Sequence, residues 1–559
     1  MAIIAAMKFA HRAKWLVLLT LLVNAAAMLS PVINGGDSIT YAALSQHIAM
    51  SNDWSDLILD GQDWLDKPHL PFWITAVFFK LFGVSAFTYI LPGFLAHLVG
   101  GFFTYRIARL FYGRDTAWLT VLVYVSVYHL MDSSVEVKAE TYLTAFIMGA
   151  SYYWLRFDAQ ARLKYLLLGA LFSALAVMTK GVFTLITITS GLVCMWLYRR
   201  HWQKLWSLKW WFALALSMLF TAPELYALYL QFDAHPEKIV FGQTHVSGIK
   251  FFLWDSQFGR FFNTGPIKNT NGHPLYFVLV FLWAFLPWVA VFFAAIISGV
   301  RKFTSRSEAE KSSFVFLCGA YFTTFGLFSA TSFQLDHYTV ILFPFAAILC
   351  GKFLTDWLSD ASSGRAIYWI QMGFTLVLAS LAVALSIRIN SPPLLVFVAV
   401  AMLAFAAYGY ATRGLGKFAA VAYPLLAMNI LYGFLALMTA LTFTRDDVAY
   451  HAAKVIRAQP GTTIYAHQMP LECRELGLYL QTTCQPIEDF NSLVRTTGDM
   501  TVVLRESDVA QLTQRFPQAK SLATLDVVVH KTGTFNKLIA MAQGTFPLEK
   551  VAVVQIRRN

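Results

Sequence analysis

Long uninterrupted apolar stretches decide what this chain can fold into. Thirteen of them lie near 13–31, 87–107, 115–131, 141–155, 165–179, 182–198, 210–230, 274–298, 313–330, 338–354, 366–387, 393–411 and 418–442. Each is of bilayer-crossing length, the shortest with polar ends inside a bundle. Hydrocarbon offers the backbone no water, so such stretches must be helices. Composition agrees: 57% of residues are hydrophobic and 13% charged, against roughly 25% charged in soluble domains. That excludes an ordinary cytosolic enzyme, a disordered chain and a collagen-like one. A net charge of +12 would point to nucleic acid in a soluble protein. Here it fits cytoplasmic loops and anionic lipid, and no nucleic-acid partner is expected.

Lys and Arg in short loops set the orientation. Lys8, Arg12 and Lys14 precede the first stretch. Arg106, Arg109 and Arg114, then Arg156, Arg162 and Lys164, then Arg199, Arg200, Lys204 and Lys209 follow in alternate loops. Arg301, Lys302, Arg306 and Lys311, then Lys352 with Arg365, then Arg413 with Lys417 complete the series. With thirteen spans all of these fall on one side. The N-terminus is then cytoplasmic and the C-terminus outside. No small-x-small cleavage site follows the first span, at Ser30-Pro31-Val32, so that span is expected to remain.

The outer segments differ in kind. Residues 32–86 form a long first loop with six aspartates (37, 53, 56, 60, 63 and 66), and two stretches, 38–50 and 69–81, read as helices lying on the membrane. A second loop, 231–273, is aromatic and polar. Long ordered connections of this kind tend to be functional. Two domains are expected: 1–443 in the membrane, and 444–559 as an outer α/β domain with 13 basic and 11 acidic residues and no span. Stretches 462–466, 500–504 and 525–530 read as strands, and 448–457 and 508–516 as helices. Cys194, Cys318 and Cys350 lie in spans and read as packing residues. Cys473 and Cys484 lie in the outer segment and can pair if that side is oxidising; two reduced, buried thiols are the alternative.

Charge in or beside a membrane is expensive, so polar span ends call for a reason. Asp37, Asp66, Lys67, Glu136, Lys138, Glu140, Lys180, Arg260, Gln334, Asp336, His337 and Tyr338 all fall at outer ends. Each has a plain explanation: Asp37 could be an N-cap, Lys180 a snorkelling lysine, Asp66 and Lys67 an exposed pair. Their concentration on one face weakens that explanation for the set.

These residues carry a resemblance. Asn34-Gly-Gly-Asp37-Ser-Ile-Thr-Tyr41-Ala, Asn52-Asp53-Trp54, Leu59-Asp60-Gly61 and Asp66-Lys67-Pro68-His-Leu70-Pro-Phe-Trp73 resemble the first outer loop of polyprenyl-phosphate-dependent GT-C glycosyltransferases. They resemble the aminoarabinose transferase that modifies lipid A and, more distantly, protein O-mannosyltransferases. Leu81-Phe82-Gly83, Leu91-Pro92, Glu140-x-x-Leu143-Thr-x-Phe146, Thr179-Lys180-Gly181, Phe251-Phe252-x-Trp254-Asp255-x-x-x-Gly259-Arg260-Phe261, and Phe328-Ser329 with Leu335-x-x-Tyr338 and Pro344 extend it along the chain. The chain departs from the family where Asp-Glu becomes Asp37-Ser38, Glu-Lys-Pro becomes Asp66-Lys67-Pro68, the second outer acid becomes Glu140, and Lys-Leu-Pro-x-Tyr becomes Gln334-Leu335-Asp336-His337-Tyr338.

The resemblance implies a polytopic α-helical membrane protein of GT-C type, with about thirteen transmembrane helices. It implies an inverting transfer of sugar from a polyprenyl-phosphate donor to lipid A, another envelope glycan or a protein, at the outer face of a bacterial inner membrane. Asp37 and Glu140 are then the expected catalytic residues. Lys67, Tyr41, Lys180, Arg260, Tyr338 and Asp66 are the expected substrate-binding ones. A divalent metal is an option the sequence does not require: Asp66, His337 and either His245 or His273 could contribute, but the loop position expected to supply a ligand is Gln257. A monomer is expected. The competing readings are a transporter of lipid-linked sugars and a noncatalytic envelope scaffold. Transporters tend to show internal symmetry and spans broken near the midplane, and neither is evident here.

Overall fold

The computed structural model describes residues 2–33, 35–269, 272–360, 364–457, 461–529 and 535–558. Asn34, which opens the first motif, and His530, the expected end of a strand, lie outside the described residues.

Every one of the thirteen apolar stretches is helical over most of its length. Among the described residues seven helices are long and apolar enough to cross a membrane: Ala86–Tyr112, Leu163–Lys180, Glu308–Ser329, Asp336–Ser359, Arg365–Ile389, Pro392–Ala411 and Gly416–Asp446. The number is nine if each of two bent pairs is one span. The chain is thus a multi-pass membrane protein. Position within the bundle explains why helices differ in composition. Ala139–Gln160 is buried along most of its length and carries Glu140, Arg156 and Asp158. Pro392–Ala411 buries only Leu394 and Val398, as suits a helix surrounded by lipid.

Three expected spans are not straight, which corrects the expectation that broken spans are not evident in this chain. The stretch 115–131 splits into Arg114–Ser126 and Tyr128–Ser133, with extended backbone at Val127. The stretch 210–230 bends by 40° between Leu208–Leu219 and Ala222–Asp233, and 274–298 turns by 113° between Tyr276–Ala284 and Val289–Arg301. Two of these breaks satisfy each other: Tyr128 N–H donates to Leu286 O at 3.0 Å. Freed backbone groups in a membrane are tolerated where another segment pairs them.

The first outer loop forms helices Gly36–Ser51 and Leu70–Phe82, joined through a short antiparallel hairpin of Ile58–Leu59 and Gln62–Asp63. Their apolar faces share one core, with Ile39, Tyr41, Leu44, Phe72 and Ala76 buried together against Tyr89 and Val137.

After Asp447 the period of the apolar pattern changes from that of helices to that of strands. A five-stranded mixed sheet follows, in the order Cys484–Ile487, Thr463–His467, Met500–Arg505, Glu549–Ile556 and Lys520–Val527. The first three run parallel and Glu549–Ile556 pairs antiparallel on both its edges. The expected strand at 525–530 begins earlier, at Lys520. Glu549–Ile556 has no counterpart in the sequence reading, although it is an apolar run buried from Val551 on. Cys473 and Cys484 are bridged, with Cα atoms 5.4 Å apart, within the span a disulfide needs.

Candidate active site

The loop residues and span ends converge where the first and second outer loops meet the bundle. A cleft of about 90 Å³ is walled by Glu140, Lys180, Gln257, Arg260, Phe328 and Tyr338, among others. A second, of about 20 Å³, shares Lys180, Ser256, Gln257 and Arg260 and adds Asp66, Lys67 and Glu224. The four shared residues make them adjoining parts of one space.

Its cations come from three separate segments. Lys67 lies just before Pro68 in the first loop and holds Asp66 at 2.7 Å. Arg260, on the short helix Ser256–Phe262, donates to the Asp66 carboxylate, and to Asp66 O at 3.0 Å. Lys180 is the last residue of Leu163–Lys180; Gly181 stops the helix with φ 105°, and a Cβ there would lie 2.3 Å from the Gln257 amide. That backbone favours glycine. It delivers the Lys180 ammonium onto Glu140 and over the Tyr338 ring, 4.2 Å from its centroid.

Charge is unevenly matched here. Burial works to raise the Asp66 carboxyl, but Lys67 and Arg260 outweigh it and hold it below the usual carboxylate range. Burial and the neighbouring Arg260 guanidinium pull the Lys67 ammonium below the usual lysine range, although Asp66 and Asp37 oppose the shift. One carboxylate thus serves two cations, while Glu140 serves Lys180. An anion entering this space relieves the repulsion between Lys67 and Arg260.

Asp37 stands at the edge of this group. It is exposed, in the first turn of Gly36–Ser51, close enough to act on Lys67 and Tyr41. The N-cap explanation does not hold: the position before the helix is Gly35, with no side-chain cap, and Asp37 lies inside the first turn. Gly35 adopts φ 86°, and a Cβ there would lie 2.5 Å from Glu136 Oε1. The chain must therefore enter this helix through glycine. Negative charge in a first turn is favourable in itself.

Tyr41 sits differently from a cleft wall. Its ring is buried edge-on to Phe72, centroids 5.0 Å apart. Burial, with Asp37 and Asp66 beside it, drives its phenol pKa up. Glu140 is 2% exposed and also faces His337, 3.7 Å from Nε2, and His337 in turn meets Asp336 at 3.2 Å.

The residues do not fit a metal. Asp66 is occupied by two cations, and His245 and His273 are exposed, their ring nitrogens against Thr244 and the Leu275 N–H. Among the described residues no three His, Cys, Asp or Glu side chains converge as ligands.

One pair escaped the sequence reading. His69 and Glu224 are fully buried, Nδ1 to Oε1 2.9 Å, and the Glu224 carboxylate also accepts the His69 backbone N–H at 3.0 Å. His69 Nε2 meets Ser55 O at 2.9 Å. Burial works to lower the His69 pKa, but Glu224 outweighs it and raises it. This clamp ties the residue after Lys67-Pro68 to the bent pair Leu208–Leu219 and Ala222–Asp233. The signal was an acid inside the apolar stretch 210–230, which a membrane span does not carry without cause.

Known proteins share parts of this chain. Residues 66–226 match the family described as dolichyl-phosphate-mannose-protein mannosyltransferase. An uncharacterized protein of Aquifex aeolicus is 24% identical over 63% of the chain and 65% of its own length. The undecaprenyl phosphate-alpha-4-amino-4-deoxy-L-arabinose arabinosyl transferase of Shewanella sediminis is 24% identical over 46% of the chain and 50% of its own length. The chain thus spans half to just under two thirds of these relatives. The crystal structure of ArnT from Cupriavidus metallidurans bound to undecaprenyl phosphate superposes with a TM-score of 0.72, at 19% identity, over 96% of this chain and 97% of that one. The fold is therefore the GT-C fold, and the chain resembles the GT-C glycosyltransferases, the aminoarabinose transferase in particular.

Proposed function

We propose that the protein transfers a sugar from a polyprenyl-phosphate donor to an acceptor at the outer face of a bacterial inner membrane. The observation that carries this reading is the cationic cleft: Lys67, Arg260 and Lys180 share a largely apolar space at the outer span ends, where Lys67 and Arg260 divide the one carboxylate of Asp66 and Glu224 is taken by His69. A lipid phosphate supplies the missing anion. The similar fold of ArnT from Cupriavidus metallidurans, bound to undecaprenyl phosphate, supports the same class of ligand.

The transfer breaks the bond from the anomeric carbon to the lipid phosphate oxygen. The phosphate leaves with that electron pair, and Lys67 and Arg260 stabilise the charge growing on it. The acceptor oxygen attacks the opposite face of the anomeric carbon, so the configuration inverts in one displacement. Asp37 takes the proton of an acceptor hydroxyl, or aligns an acceptor phosphate that has none to lose. Glu140, neutralised by Lys180, supports the site. Asp66 orients Lys67 and Arg260, and Tyr338 supports Lys180 from beneath.

In this reading the chain is a monomer with thirteen spans, the N-terminus cytoplasmic and the C-terminus periplasmic. Residues 1–443 form the catalytic domain and 444–559 a periplasmic one. The acceptor is lipid A or another envelope glycan. Protein O-glycosylation is the second reading, favoured by the family match over residues 66–226. The test is incubation of purified protein with polyprenyl-phosphate-linked sugar and, separately, lipid A, envelope glycan and peptide acceptors. Turnover without a transmembrane gradient supports a transferase. Movement of donor across vesicles without transfer supports the transporter reading and overturns this one.

A further inference from the structure

The C-terminal sheet segment packs against the first outer loop. Its helix Pro470–Leu480 packs against Gly36–Ser51, the helix that carries Asp37 in its first turn. Leu478 is buried in the same core as Ile39, Tyr41 and Phe72. Buried Gln46 donates from Nε2 to Gly477 O at 2.9 Å. On the same contact the Arg474 guanidinium spreads over two segments at once. Nη1 donates to Thr40 Oγ1 at 3.0 Å, while Nε lies 3.0 Å from Asp60 Oδ2 and Nη2 meets the same oxygen.

Each partner leads to a different part of the cleft. Thr40 is three residues after Asp37, hence on the same helix face. Asp60 sits at the tip of the hairpin Ile58–Leu59 and Gln62–Asp63, with φ 54° there and 78° at Gly61. That hairpin runs on into Asp66-Lys67. The neighbour of Arg474, Cys473, is bridged to Cys484 at the start of a sheet strand, so the base of this helix is fixed to the sheet.

We propose that Arg474 is a positioning residue for the transfer: it fixes the helix carrying Asp37 relative to the hairpin leading to Lys67, and so sets the distance between acceptor and donor groups. The inference rests on the transferase reading and adds to it a part for the C-terminal segment. Arg is suited to the task because its planar fork engages two partners in fixed geometry, which a lysine cannot do. The two side chains of the ion pair are each 21% exposed, and a pair that solvent still reaches is worth little to stability, so its loss leaves the fold while loosening the spacing. Small misplacement of reacting groups is costly to rate.

The test uses the full-length protein in detergent or nanodiscs, with polyprenyl-phosphate-linked sugar and the acceptor that the wild type accepts. Arg474→Ala is expected to lower kcat about tenfold or more, with the donor KM within about twofold of wild type and the melting temperature within a few degrees. Arg474→Lys is expected to recover only part of the rate. If Arg474→Ala does not fold, Asp60→Asn and Thr40→Val each remove one arm of the contact and are expected to lower kcat in the same manner. Wild-type kcat in the folded variants overturns the proposal. So does a loss of activity in step with lost thermal stability, or a change confined to the donor KM. A wild-type protein silent with every donor and acceptor overturns the transferase reading itself, and the positioning role with it.

Discussion

Replacing Asp37 by Asn separates chemistry from fold at the residue most exposed to both. Asp37 lies in the first turn of Gly36–Ser51, exposed, and among the described residues no side chain hydrogen-bonds to it. The helix starts on Gly35, so the substitution removes no cap. What the fold loses is one negative charge near a helix N-terminus, about 0.3–1 kcal/mol. What transfer loses is larger if the carboxylate takes a proton or aligns the acceptor: about 10²–10⁴ in rate, or about 3–5 kcal/mol of activation free energy. Asp37 also favours the charged form of Lys67, so a smaller weakening of donor use accompanies the fall in rate. The assay is initial transfer rate against donor concentration, with thermal melting of the same preparation. Expected are near-normal expression, melting within a few degrees of wild type, and loss of most transfer. Activity within about threefold of wild type refutes the catalytic role, since general acid–base groups contribute far more than that.

Lys67→Ala should weaken donor use strongly and Lys67→Arg should keep part of it, both read from donor-dependence kinetics, because Arg260 still pairs Asp66 when Lys67 is gone. Glu224→Gln should lower both melting temperature and transfer, since it removes the charge from a fully buried pair that anchors His69, a loss of about 3–5 kcal/mol where such a pair is broken outright. The folded pKa of His69 is raised, so its contribution is complete below the unfolded value of 6.5 and lost as pH rises through the folded one; melting scans across neutral to alkaline pH should fall more steeply for wild type than for His69→Gln. Reducing the Cys473–Cys484 bridge, which closes a loop with a sequence separation of 11, should cost about 3 kcal/mol on the chain-entropy model, and alkylation of denatured, unreduced protein should label only Cys194, Cys318 and Cys350. Alkaline phosphatase fused after residue 445 should be active if the C-terminus is outside and silent if the span count is off by one.

The helices were legible because lipid permits little else: a long apolar stretch must be helical whatever it packs against. Their breaks were not. Nothing local marks Val127 as extended, and the break there is stabilised by Leu286, far away in sequence. The 113° turn between Tyr276–Ala284 and Val289–Arg301 likewise leaves the apolar composition of 274–298 unbroken. In the C-terminal segment Thr463–His467 and Met500–Arg505 stood out as apolar runs between turn residues. The short Cys484–Ile487, with a proline and a glutamine, did not, because its place is fixed by pairing to Thr463–His467 rather than by its own propensity.

The site divides along the same line. Asp66, Lys67, Lys180 and Arg260 were visible because charge at a span end is costly and invites explanation one residue at a time. Their pairing was not visible, since Asp66 and Arg260 lie 194 residues apart and meet only through the docking of the two outer loops. His69 shows the limit most clearly. Its neighbours Lys67 and Pro68 drew attention to the position, but its role depends on Glu224, 155 residues away and itself hidden in an apolar helix. The tighter a buried ionic pair is, the more the other half of the chain decides whether either residue is read as a site or as a packing defect. A lone acid within an apolar span is therefore best treated as one half of a pair, to be sought first among histidines and cations of the loops that close over that span's outer end.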